Sequence, residues 1–142
     1  FFKRKVEGDI SLTEVRDAVL TIRKNKFPDL KSVGTAGSFF KNPILAQNEA
    51  KKLLRLFPGA PHFSMDDGSV KFSLAWLLDH VLSWKDVSHG AVGVFQKQPL
   101  VLVNYGNAYA HELHTFAQTM QTDVKNKIEI DIVPEITFIG EF

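Results

Sequence analysis

Cysteine is absent from all 142 residues, so disulfide bonds and thiolate metal sites are excluded, and a reducing compartment fits. Long apolar runs are missing too. None approaches the ~20 residues that span a bilayer, and the N-terminal Phe-Phe-Lys-Arg-Lys lacks the apolar centre of a signal peptide. A cytoplasmic protein without a membrane partner is expected. Charge of either sign is not in excess: the formal net charge is +1, and Lys3, Arg4 and Lys5 form one small basic cluster. Nucleic acid is therefore not an expected partner. What is present suits a folded domain, with 44% hydrophobic and 23% charged residues. The length suits one domain that stabilises its own core. A chain that opens on Phe1 is expected to be a piece of a longer polypeptide.

Periodicity supplies the elements. Phe2 to Val6 reads as a short strand. Ser11 with Glu14 three residues later is a capping-box signal for a helix with Val15, Ala18, Val19 and Ile22 on one stripe. Arg23, Lys24 and Lys26 gather at its end and Pro28 stops it. A second helix runs from Gln47 to Phe57, ended by Pro58-Gly59. Asp67-Gly68 marks a tight turn. A third helix carries Leu74, Leu77, Leu78 and Val81, with Trp76 and Trp84 as packing or site-wall residues. Ala91 to Phe95 and Leu100 to Asn104 read as strands, the second buried on both faces. Leu113, Phe116, Ala117, Met120 and Val124 mark a long fourth helix. Ile128 to Ile132 alternates as a half-buried strand, and Ile136 to Ile139 follows Pro134 as a last one. Without a repeating βαβ period, these elements predict a single α+β domain with a mixed sheet and helices packed mainly on one face.

Several signals for chemistry fail on spacing. His111-Glu112-Leu113-His114 puts its histidines at i and i+3, whereas the zinc-protease helix needs i and i+4. Two solvated histidines are expected there, and no metal. Gly-x-Gly-x-x-Gly and Walker loops are absent, and Ser38 is not in a Gly-x-Ser-x-Gly elbow. Two segments remain. Gly34 to Pro43, Gly-Thr-Ala-Gly-Ser-Phe-Phe-Lys-Asn-Pro, crowds a hydroxyl, an ammonium and an amide between residues of special backbone freedom. It suits a ligand site, or a loop entering a buried strand. In Val133-Pro134-Glu135-Ile136 a carboxylate follows proline between apolar residues. It is a turn residue, or a group whose enclosure would favour the neutral form that a hydrogen-bond donor needs.

The Gly34 to Pro43 string closely resembles the signature of the UDP-N-acetylenolpyruvoylglucosamine reductase family. Lys26-Phe27-Pro28-Asp29, Asp67 to Lys71, Ala75 to Asp79, Gln98 to Asn104 and Val133 to Gly140 follow in the family's order. The resemblance implies that residues 1–25 end a flavin-binding part and form a connecting helix, and that 26–142 are a substrate-binding C-terminal domain. It implies a reaction in which FAD, reduced by NADPH, delivers hydride to UDP-N-acetylglucosamine enolpyruvate to make UDP-N-acetylmuramate for peptidoglycan. In this resemblance Ser38 is the proton donor and Glu135 a neutral donor to the substrate carboxylate, with a cooperating arginine in the N-terminal part. Lys26, Asn42 and Gln98 match substrate-holding positions. Phe63 stands where the family carries tyrosine, and Lys85 matches a family lysine if one residue is inserted. FAD-contacting residues are not identified in this segment. A stand-alone module that binds a nucleotide sugar or a protein without catalysis is the alternative reading.

Overall fold

The computed structural model describes residues 10–140. The strand expected at Phe2 to Val6 lies outside the described residues. The first helix, α1 (Leu12–Lys26), starts where its cap predicts. Ser11 Oγ accepts from the Glu14 amide at 3.2 Å while Glu14 Oε2 accepts from the Ser11 amide at 3.0 Å, which satisfies two donors that a helix start leaves open. α1 does not deliver its stripe to the core. Leu12 is 89% exposed, and Val15, Val19 and Ile22 are each more than two-fifths exposed; only Ala18 is buried.

The other helices do enclose a core. α2 (Gln47–Leu56) contributes Ala50 and Leu53, α3 (Leu74–His80) contributes Leu74, Leu77 and Leu78, and α4 (Ala110–Ile128) contributes Phe116, Ala117, Met120, Val124 and Ile128. These pack with Phe39, Phe40, Phe72, Val92, Val94 and Leu102 in one cluster. Each large side chain so buried stabilises the fold by about 1.5–3 kcal/mol.

The α+β class is as expected, but the strands form two antiparallel sheets rather than one mixed sheet. β1 (Gly34–Ser38), β7 (Val101–Asn104), β6 (Val92–Val94) and β5 (Ser88–His89) make one in the order β1-β7-β6-β5. β2 (Ile44–Leu45), β4 (Val70–Phe72) and β3 (His62–Ser64) make the other, in the order β2-β4-β3. The chain leaves the first sheet after Phe39, and the Phe72 amide donates to the Pro43 carbonyl at 3.0 Å, which attaches the next segment to β4. The β3–β4 hairpin turns at Gly68 (φ 81°), as Asp67-Gly68 predicts.

The two strands expected at the C-terminal end are not formed. α4 continues through Ile128 and ends at Glu129 in the left-handed region (φ 60°). Ile130 and Ile132 are buried while Glu129 and Asp131 are exposed, so the alternation is real but lacks a ladder. The Ile132 carbonyl accepts from Gln121 Nε2 at 2.8 Å instead of from a neighbouring strand. Beyond it a single antiparallel bridge joins Phe40 to Pro134, and Pro134 has no N–H to donate to a ladder.

Candidate functional site

Ser38 owes its position to a bulge. Thr35 pairs with Val103 and Ser38 with Val101, so β1 holds one residue more than β7 over this stretch, which bends a strand and re-aims its side chains. Thr35 closes the gap: its Oγ1 donates to the Leu102 carbonyl at 2.7 Å and accepts from the Gly37 amide at 3.0 Å. Gly37 lies at φ 82°, a conformation that costs any residue with a Cβ about 1–2 kcal/mol. The sequence reading missed Thr35; a hydroxyl inside a glycine-rich strand was the available signal.

Phe39 and Phe40 anchor the far side. Both are fully buried, with ring centroids 5.0 Å apart in an edge arrangement that adds about 0.5–1.5 kcal/mol to their burial. The Phe39 amide donates to the Leu100 carbonyl at 2.8 Å, and the Val101 amide donates to the Gln98 carbonyl at 2.9 Å. This brings the turn that carries Gln98 alongside Ser38. The Glu135 amide donates to the Phe39 carbonyl at 2.8 Å, and the Lys41 amide to the Val133 carbonyl at 2.9 Å. The segment that follows Ser38 is thus hydrogen-bonded both to the one that carries Gln98 and to the one that carries Glu135. Ser38 is half-buried and its hydroxyl has no hydrogen-bond partner among the described residues. Glu135 is exposed, so the enclosure expected for its carboxylate is not present in this chain.

Asn42 follows two residues after Phe40. Its Oδ1 accepts from the Leu74 amide at 2.9 Å, satisfying an open donor at the start of α3. Its Nδ2 has no bond among the described residues. Phe63 lies on β3, 67% exposed, in the sheet that Asn42 leads into. Lys26 and Lys85 stand apart from this group, with no hydrogen bond or ion pair to it. Lys26 ends α1, its ammonium 6.0 Å from the Phe27 ring centre, and Lys85 pairs with Asp79 at 2.9 Å.

The histidines resolve differently from expectation in one respect. His111 is exposed and stacked on Tyr109, but His114 is half-buried with its ring 5.0 Å from that of Phe138. Trp84 is a packing residue: buried, edge-on to Phe116, with Nε1 donating to Asp123 Oδ2 at 2.7 Å. The helix starts follow Ser11, Ala46, Ser73 and Tyr109, and none opens from a glycine-rich turn of the kind that cradles a dinucleotide phosphate. Among the described residues, no helix start has the form of that cradle.

Comparison with known proteins gives this arrangement a family. The chain is 41% identical to UDP-N-acetylenolpyruvoylglucosamine reductase of Salmonella typhi over 133 residues, covering 94% of this chain and 39% of that protein. It is 42% identical to the protein of the same name from Escherichia coli O157:H7 over 127 residues, covering 89% and 37%. The Azoarcus sp. (strain BH72) protein of that name is 39% identical over 126 residues, covering 89% and 36%. The chain thus spans less than two-fifths of the length of these relatives. Residues 28–139 match the family described as UDP-N-acetylenolpyruvoylglucosamine reductase, C-terminal domain; that stretch includes the Thr35-stapled bulge, Asn42 and the Pro134 bridge, and this chain belongs to that family.

Proposed function

We propose that this chain is the substrate-binding, proton-donating part of an FAD-dependent reductase that converts UDP-N-acetylglucosamine enolpyruvate to UDP-N-acetylmuramate in the cytoplasm, for peptidoglycan and cell-wall synthesis. The observation that carries this reading is the pairing of the Ser38 and Glu135 segments through the Phe39 carbonyl, because both side chains must reach one pyruvyl group. Residues 26–142 form the substrate domain, and residues 1–25 end the flavin-binding part and connect to it. FAD, with NADPH as its reductant, is held by that upstream part of the same polypeptide and supplies the hydride.

The residues of this chain do the rest. Once hydride has added to the terminal methylene carbon, negative charge builds on the carbon bearing the carboxylate and spreads into it. Ser38 Oγ gives its proton to that carbon, and water returns one to the alkoxide. Such a carbanion is a far stronger base than a serine alkoxide, so the transfer is downhill. A half-buried hydroxyl suits the role, since no acceptor among the described residues competes for its proton. Glu135, in its neutral form, donates to the substrate carboxylate as charge accumulates. Its exposure in this chain is consistent with closure by the upstream part, where enclosure would favour the neutral carboxyl.

Substrate positioning falls to Asn42 and Gln98, whose amides give direction, and to Lys26 and Lys85, whose ammonium groups give charge for the diphosphate. Phe63 supplies ring packing without a phenolic hydrogen bond. Lys26, at the end of α1, sits where the two parts join, while the Lys85–Asp79 pair must open or share its ammonium.

The full-length gene product tests this. Purified, it should be yellow, and it should oxidise NADPH over many turnovers only when the enolpyruvyl substrate is present to reoxidise the flavin. A colourless full-length protein without that activity would instead leave a binding module.

A further inference from the structure

We propose that Lys71 is an additional anion-binding residue of this site, taking a phosphate of the nucleotide sugar between Phe63 and Ile44. The proposal rests on the substrate class inferred above. Along β4, Val70 and Phe72 are buried and Lys71 lies between them on the opposite face, half-buried. It is the registered partner of two residues at once: Ile44 on β2 and Phe63 on β3. Directly opposed side chains in antiparallel strands stand about 5 Å apart, so these three form one row across the sheet.

The row is unusual in what it shows to solvent. Ile44 is 56% exposed and Phe63 more so, although both are large and apolar, and between them they flank the ammonium stem. Lys71 has no ion-pair partner among the described residues; the described pairs use Arg16, Lys85, Lys125 and Lys127. Of the two carboxylates in the adjoining hairpin turn, Asp66 and Asp67, neither pairs with Lys71, and Asp67 Oδ1 accepts from the Ser69 amide at 2.9 Å and the Ser69 hydroxyl at 2.6 Å. The Lys71 stem lies along these apolar neighbours while its ammonium, without a counterion among the described residues, is open to an incoming anion. One isolated cation on a chain of net charge +1 fits a small anion rather than a polyanion.

Continuity favours the nucleotide sugar as the source of that anion. β2 leads directly out of Asn42-Pro43, and the Phe72 amide bonds to the Pro43 carbonyl. Lys71 therefore lies one strand across from the segment that joins Ser38 to Asn42. A molecule whose reacting end meets Ser38 and whose polar body meets Asn42 reaches this row next.

Titration calorimetry of the full-length protein with UDP and with uridine tests the assignment. Lys71→Gln keeps most of the stem and removes the charge. It should weaken UDP binding by roughly ten- to a hundredfold, the usual effect of losing a hydrogen bond to a charged group, and leave uridine binding within about twofold. The loss should shrink as salt is added, and Lys71→Arg should recover most of the affinity. UDP binding at the parent affinity would overturn the proposal, as would equal losses for UDP and uridine, which mark a structural role. A parent protein that binds neither ligand overturns the nucleotide-sugar reading itself, and this proposal with it.

Discussion

Glu135 donates its amide proton to the carbonyl of Phe39 across 2.8 Å, which sets it directly opposite the residue after Ser38. This bond and that from the Lys41 amide to the Val133 carbonyl flank the Phe40–Pro134 bridge, so Pro134, which has no N–H, sits at a position that needs no donor. The segment beyond is left free of the sheet, so Glu135 is held by its backbone while its side chain stays exposed. Ser38 and Glu135 are thereby held on neighbouring, hydrogen-bonded segments of backbone.

Ser38→Ala in the full-length enzyme should leave flavin reduction by NADPH nearly unchanged and slow reoxidation by the enolpyruvyl substrate by roughly 10²–10⁴-fold, the range for a lost general acid. Stopped-flow absorbance separates the two half-reactions. Glu135→Gln, which retains a donor, should lose less than Glu135→Ala. Reoxidation of the serine variant at the parent rate removes Ser38 from the chemistry.

Thr35→Val should destabilise the domain by about 1–3 kcal/mol, because it leaves the Leu102 carbonyl and the Gly37 amide without their shared hydroxyl. Thr35→Ser should recover most of that loss in urea melts. If valine is tolerated without cost, the bulge does not depend on Thr35.

Asn42 carries two separable duties. Asn42→Ala should cost about 0.5–2 kcal/mol of stability, as loss of a helix cap does, since the Leu74 amide loses its acceptor. Asn42→Asp keeps an acceptor oxygen and should stay near the parent stability while weakening substrate binding through its negative charge. Equal stability of the alanine variant would show that the cap is dispensable.

The stripe of α1 gives a test of the division at residue 25. In the isolated chain, Val15→Ser, Val19→Ser and Ile22→Ser should each change stability by less than about 0.5 kcal/mol, as exposed substitutions do. In the full-length protein, where the upstream part would cover them, each should cost about 1–3 kcal/mol. The same small effect in both contexts would mean that α1 stays uncovered. The isolated chain should also remain colourless after FAD is added and gel-filtered away.

Asp67 gives a pH prediction with a definite sign. The hydroxyl and amide of Ser69 hydrogen-bond its carboxylate and hold its pKa below the ordinary value. A folded-state pKa lowered in this way favours folding at neutral pH, and that contribution disappears as pH falls through the folded value. Ser69→Ala should move the Asp67 titration upward, measured by the carboxyl carbon shift in NMR. No movement would assign the shift to the backbone alone.

The features legible in the amino-acid order are local. Ser11 with Glu14 located the start of α1, Pro58-Gly59 followed the end of α2, Asp67-Gly68 marked the hairpin turn, and the apolar spacing of Phe116, Ala117, Met120 and Val124 marked α4. Caps, turns and helical periodicity act between residues a few positions apart, so they can be read without knowing the fold. The same reading saw that Ile128, Ile130 and Ile132 share a buried face, but alternation says only which side chains turn inward. Whether a strand forms depends on a free edge to pair with, and that is a tertiary fact. Two sheets instead of one, the Thr35-stapled bulge, the uncovered face of α1 and the Ile44–Lys71–Phe63 row all belong to this second kind. Each depends on which distant backbone supplies a hydrogen-bond partner or a covering surface, and no local pattern carries that information.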